Sequence, residues 1–112
     1  MKKKRICLVT SGHPPFDERI FWKFGVTLIE NNFDVMIISS DKDIYIEKDG
    51  IKINSFDGME LDKKSKVNKF YDFLVDFNPE LIICSEPLTL VAAAKYRHKQ
   101  KDRVKVILDV TE

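Results

Sequence analysis

No stretch of this chain approaches the ~18 consecutive apolar residues that a membrane-spanning helix requires. Cysteine is scarce: the two in the sequence, Cys7 and Cys84, each sit inside an apolar run. A disulfide framework needs a cysteine-dense secreted chain, so these two are expected to be reduced core thiols of a cytoplasmic protein. Neither a Gly-x-Gly-x-x-Gly fingerprint nor a Walker-type lysine motif is present, which argues against dinucleotide binding of the usual kind. No charge sign dominates. Lysine and arginine number 19 against 18 acidic residues, a net charge of +1, which speaks neither for nor against an anionic partner. The start, Met1-Lys2-Lys3-Lys4-Arg5, is basic, but too few apolar residues follow before Ser11-Gly12 to form a signal-peptide core. It reads instead as a solvated lead-in to a strand. Repeats, linkers and low-complexity tracts are missing as well.

What is present is an ordinary globular composition, 44% hydrophobic and 33% charged. The length of 112 residues suits one domain with a core, and not two lobes around a cleft. Residues 5 to 40 are the most informative. Arg5 to Thr10 is an apolar, partly β-branched strand, Ser11 to Asp17 a loop broken by Gly12, Pro14 and Pro15, Glu18 to Asn32 a helix, and Asp34 to Ser40 a second strand. Near-continuous apolar runs of this kind mark strands buried on both faces, as in a parallel sheet. Ile44 to Ile46 and Ile51 to Phe56 read as a short hairpin around Asp49-Gly50, the second strand alternating as an edge strand's can. Lys63 to Phe77 is a helix with Val67, Phe70, Phe73, Leu74 and Phe77 on one stripe, ended by Asn78-Pro79. Leu81 to Cys84 is a compact buried strand. Leu88 to Lys99 is a helix, with Ser85 or Glu86 as its cap, Pro87 in its first turn and Ala92 to Ala94 as a close-packing face. Val104 to Val110 is a further buried strand. The alternation predicts an α/β fold: a three-layer αβα arrangement around a mainly parallel sheet of order 3-2-1-4-5, with the short hairpin near residues 44–56.

In that order the loops Ser11 to Asp17 and Ser85 to Pro87 lie side by side at the point where strand order reverses, with Asp109 to Glu112 beside them. Each candidate residue there has a functional and a plain reading. Gly12 can admit a ligand close to the backbone or simply make a tight turn. His13 can act as a base or a phosphate-facing donor, or be an exposed loop histidine. Asp17 sits where a helix N-cap belongs. Arg19, a cation in a first helical turn, needs a partner such as Asp17, Glu18 or a neighbouring loop. Glu86 can point into the cleft or cap its own helix, the latter slightly favoured. Phe21, Trp22 and Phe24 read as core and rim packing. The basic run from Lys95 to Lys105 reads as a solvated face. No metal-ligand spacing stands out.

The segment His13-Pro14-Pro15-Phe16-Asp17-Glu18-Arg19-Ile20-Phe21 resembles the loop and first helix of family-4 glycosyltransferases of the GT-B fold. Phe33 to Ile38 is similar to the strand that follows there. Pro79 to Pro87 resembles the family's strand ending in His-Asp-Pro, and Val106 to Glu112 its strand followed by Asp-x-His-Glu. The likeness runs along nearly the whole chain and is weakest over residues 41–65. Thr111 stands where the family often has histidine, and Gly12 stands alone where many members have two glycines. The resemblance implies the amino-terminal, Rossmann-like, acceptor-side domain of a retaining glycosyltransferase. On this reading the chain is a truncated part of a larger two-domain enzyme, inactive alone, whose nucleotide-sugar donor is held by a missing carboxy-terminal domain. Gly12, His13, Glu86 and Glu112 would contact substrate, and Asp17 with Arg19 would structure the loop. No residue is implied as nucleophile or base. No cofactor, metal or nucleic acid is implied, and lipid-linked acceptors leave peripheral membrane association of the parent enzyme open. The alternative is a stand-alone receiver-like or flavodoxin-like domain, with Asp57 as a phosphoacceptor or Thr10-Ser11-Gly12 at a flavin phosphate.

Overall fold

The computed structural model describes residues 4–11, 25–100 and 103–108. They form β1 (Arg5–Thr10), α1 (Val26–Glu30), β2 (Asp34–Ser39), β3 (Ile44–Lys48), β4 (Ile51–Ser55), α2 (Lys63–Phe77), β5 (Leu81–Cys84), α3 (Pro87–Lys99) and β6 (Lys105–Leu108). All six strands join one sheet in the order β3-β4-β2-β1-β5-β6. Every pairing is parallel except that of β3 with β4.

The apolar runs of β1 and β2 are buried on both faces because the sheet is covered on both. Alternation along a strand sends successive side chains to opposite sides. Ile6 and Leu8 join Val35, Ile37, Ile51 and Ile53 on one face, where Val26, Leu28 and Ile29 of α1 pack. Cys7 and Val9 join Met36, Ile38, Ile82 and Cys84 on the other, beneath Phe70, Leu74 and Phe77 of α2 and Ala92, Ala93 and Tyr96 of α3. The alanines let α3 approach the sheet closely, and the phenylalanine stripe of α2 fills the remaining depth.

The helices begin and end for local reasons. Asp62 caps α2, its carboxylate accepting the Ser65 N–H at 2.8 Å, which satisfies one of the unpaired donors of a first helical turn. Asn78 ends α2 in the left-handed region, φ 57°, and its N–H returns to the Leu74 carbonyl at 2.8 Å. The Asn78 side chain accepts the Tyr96 hydroxyl at 2.7 Å and its carbonyl accepts Arg5 Nε at 3.0 Å, so one residue joins α2, α3 and β1. Asn31 and Asn32, the latter at φ 69°, close α1 at Glu30, short of the expected Asn32. The expected amino-terminal part of that helix, from Glu18, lies outside the described residues.

Three expectations about the sheet need correction. The order is not 3-2-1-4-5, because the sheet has six strands: the first arm of the hairpin, β3, joins as an antiparallel edge, and the parallel strands follow as β4-β2-β1-β5-β6. The hairpin turn is Asp49-Gly50, both residues at positive φ (53° and 82°), the conformation of a tight turn whose twist matches the strands it connects. Secondly, β4 alternates between buried and exposed without being an edge. The exposed Lys52 extends past the end of α2, its Nζ 5.8 Å from the centre of the Phe77 ring. Thirdly, β6 is not a buried strand. It pairs with β5 alone among the described strands, and Ile107 and Leu108 stay 50% and 39% exposed. At the hairpin side Phe56 meets Phe70 edge-on at 5.0 Å and stacks on Phe73 at 6.1 Å, which ties β4 to α2. Among the described residues no helix is long and apolar enough to cross a membrane.

Candidate functional site

Ligands of open α/β sheets bind beyond the carboxyl ends of the strands, where the chain reverses its direction of travel across the sheet. Here the chain leaves β1 for β2 on one side and, after β4, returns through α2 to β5 on the other. The reversal lies between β1 and β5, with Ser11 following one and Ser85-Glu86 the other.

The carboxyl edge is lined by hydroxyls. Three of the parallel strands, β1, β2 and β4, end in one, and register aligns them: Thr10 lies opposite Ser39, and Ser39 opposite Ser55. All three are fully buried, as is Thr89 in the first turn of α3. Buried hydroxyls must be paired, and among the described residues no buried side-chain nitrogen or oxygen lacks a partner. Ser55 Oγ accepts the Asp41 N–H at 3.3 Å, which holds the segment after β2 against β4.

Glu86 is the centre of the arrangement. It occupies the N-cap position of α3 with extended backbone, and Pro87 follows as the first helical residue. Glu86 and Thr89 stand in the reciprocal relation of a capping box. The Glu86 N–H donates to Thr89 Oγ1 at 3.3 Å, and the Thr89 hydroxyl donates to the Glu86 carbonyl at 2.7 Å. The carboxylate itself reaches across the reversal point to β1. The Thr10 hydroxyl donates to its two oxygens at 2.7 and 3.1 Å, and the Ser11 N–H at 3.0 and 2.8 Å. Hydrogen bonds to an ionised acceptor are roughly twice as strong as neutral ones. On its other side Ser11 presents its carbonyl to Ser40 Oγ, which donates at 2.7 Å. The exit of β1 is thus gripped from both neighbouring strands, N–H by Glu86 and carbonyl by Ser40, immediately before Gly12.

The thiols beneath this edge are inert. Burial pushes the Cys84 thiol up to about 12; the Thr89 hydrogen bond opposes the rise, and the Glu86 carboxylate adds to it. Burial, reinforced by Cys84, raises Cys7 well above the usual thiol value. Neither supplies a thiolate near neutral pH, so neither is a nucleophile. No group of three or more His, Cys, Asp or Glu among the described residues could hold a metal ion. What the edge can do is fix the end of β1 and offer the half-buried Ser11, Ser40, Ser85 and Glu86 to a polar ligand.

Of the residues singled out from the sequence, Glu86 stands at this edge, beside Ser11. Gly12, His13, Asp17, Arg19 and Glu112 lie outside the described residues. Sequence reasoning missed Ser39, Ser40, Ser55 and Thr89, and named Thr10 only within the flavodoxin-like alternative. A signal existed, since Val9-Thr10, Ile38-Ser39 and Cys84-Ser85 each close an apolar run with a hydroxyl. Only the register shows that several of these closures form one row. No family model and no curated protein matches the chain.

Proposed function

We propose that this chain is the Rossmann-like, acceptor-binding amino-terminal domain of a retaining glycosyltransferase of the GT-B type, which transfers a sugar from a nucleotide-sugar donor to a glycan or lipid-linked acceptor. The observation that carries the reading is the Glu86 bridge: a carboxylate from the β5–α3 junction seated on Thr10 and Ser11, at the reversal point of the sheet. It fixes the end of β1 immediately before Gly12 and His13 in sequence, the residues that the resemblance places against substrate. The half-buried Ser11, Ser40, Ser85 and Glu86 of that edge suit a ligand rich in hydroxyls of its own. The donor diphosphate would be held by a second domain, and the parent enzyme would work in the cytoplasm, free or peripherally on a membrane.

Strand order favours this reading over the receiver-like and flavodoxin-like alternatives. Flavodoxin-like sheets, which receiver domains share, run 2-1-3-4-5, which would place the end of the third parallel strand beside β1. Here β2 separates β4 from β1. Asp57 accordingly lies beyond β4, where its N–H donates to Asp43 Oδ1 at 2.9 Å and its Oδ1 accepts the Met59 N–H at 3.0 Å. It serves as a turn residue there.

Titration of the isotope-labelled chain with acceptor-type oligosaccharides tests the proposal. Saturable amide shifts centred on Ser11, Ser40, Ser85 and Glu86 are expected. Shifts confined to the hairpin or to the outer faces of the helices would overturn it.

A further inference from the structure

We propose that the opposite, amino-terminal edge of the sheet carries a second site, which takes soluble anions with two linked phosphates. A hollow of about 350 Å³ opens there, within the span of small-ligand pockets, about 300–1,000 Å³. Four cations line it, Lys4, Arg5, Arg103 and Lys105, against one carboxylate, Glu80. Its floor is Ile6, Phe33 and Leu81.

Topology makes this cluster. Residues 4–5 and 103–105 are a hundred positions apart in sequence, but β5 lies between β1 and β6 and all three run parallel. Their amino ends therefore adjoin. The Glu80 N–H donates to the Arg5 carbonyl at 2.8 Å, and the Glu80 carbonyl accepts the Lys105 N–H at 3.1 Å, so backbone bonds set the spacing of the cations above. Arg5 is also oriented, its Nε donating to the Asn78 carbonyl at 3.0 Å. A preoriented guanidinium suits the planar, paired acceptors of a phosphate, and lysines supply point charge beside it. Folding like charges together opposes stability unless something offsets the repulsion, and a bound anion does so.

The charge balance selects the ligand. The lining carries an excess of three positive charges. One phosphate group brings about −1.5 to −2 at neutral pH, which falls short, whereas two linked phosphates close the gap. The apolar floor gives room for an uncharged part of the same compound. This site faces away from Glu86 and does not depend on the glycosyltransferase reading.

Amide spectra of the full chain, titrated with inorganic pyrophosphate at constant ionic strength, test the proposal. Saturable shifts at Ile6, Phe33 and Leu81 are expected, with affinity at least about tenfold above that of orthophosphate. Removing two exposed partners in the double variant Arg103→Gln, Lys105→Gln should weaken binding about tenfold, and Glu80→Gln should tighten it. All three positions are exposed, so the variants are expected to keep the fold, and Arg5 is left intact because it also braces Asn78. Shifts that do not saturate, equal responses to orthophosphate, an unweakened double variant, or shifts confined to Ser11, Ser40 and Ser85 would each overturn the site. So would retention on vesicles containing phosphatidylglycerol without any response to pyrophosphate, since the anion would then be a lipid surface.

Discussion

At the scale of single residues, Glu86 illustrates how a carboxylate can be used for position. It accepts from the hydroxyl that ends a different strand, β1, and from the amide that follows it. Glu86→Ala removes both carboxylate oxygens and with them the acceptors of the Thr10 hydroxyl and the Ser11 N–H. We expect a loss of about 1–3 kcal/mol in denaturant unfolding, the cost of leaving a partly buried donor without its acceptor. Unchanged stability in that variant would mean the bridge contributes nothing to the fold. The buried thiols give a second expectation. Modification requires thiolate and access, and both Cys7 and Cys84 lack each. Labelling of the native protein should therefore proceed only as fast as it opens. The same shifts have a consequence for stability. A thiol whose folded value lies above its unfolded one favours the folded state below the unfolded value and loses that contribution as pH rises. For Cys84 the window runs from 9.0 to about 12. Alkaline unfolding measured across it should begin later in Cys84→Ala than in the parent, once both are compared with their stabilities at neutral pH.

At the scale of elements, α2 shows the division between cap and stripe. Its buried residues Phe70, Leu74 and Phe77 secure it to the sheet, and truncating Leu74 would cost several kcal/mol, as buried leucines do (about 2–5). Its start rests on the exposed Asp62, whose carboxyl is held below the ordinary 3.8 by hydrogen bonds from Ser65. A depressed carboxylate stabilises above its unfolded value and ceases to do so as pH falls through the folded one. Asp62→Ala should therefore lower the melting temperature at neutral pH, and the difference from the parent should fade as pH drops below 3.8. A difference that persists at pH 2 would place the effect in something other than the charged cap. Both edges of the sheet expose apolar side chains, Tyr45 and Ile46 on β3 and Ile107 and Leu108 on β6.

At the scale of the whole molecule, the proposed function is geometric. Transfer needs donor and acceptor held in near-attack positions, which can supply ~7–11 kcal/mol of a barrier. On the proposed reading this chain forms a single wall of such a cleft, and hydrogen bonds from groups left open to water add little net affinity. Residues 1–112 alone should therefore show no sugar transfer and at most weak affinity for UDP- or GDP-sugars by calorimetry. Micromolar binding or measurable turnover would put the donor site within this domain and end the acceptor-lobe reading.

Local pattern was enough for much of this architecture. The runs at Ile6 to Val9, Val35 to Ile38 and Leu81 to Cys84 had to be strands, Asp49-Gly50 had to be a turn, and the phenylalanine stripe had to be a helix face, because each depends on periodicity and backbone preference within a few residues. Glu86 was legible as a cap for the same reason, since Pro87 and Thr89 are its neighbours. Its bond to Ser11 was not, as 75 positions separate the two. The row Thr10–Ser39–Ser55, the exposure of β6, the internal place of β4 and the gathering of Arg5 with Arg103 likewise depend on which strands become neighbours. That choice is made by packing of the two faces of the sheet against their helices, a property of the assembled chain that no short window of sequence contains.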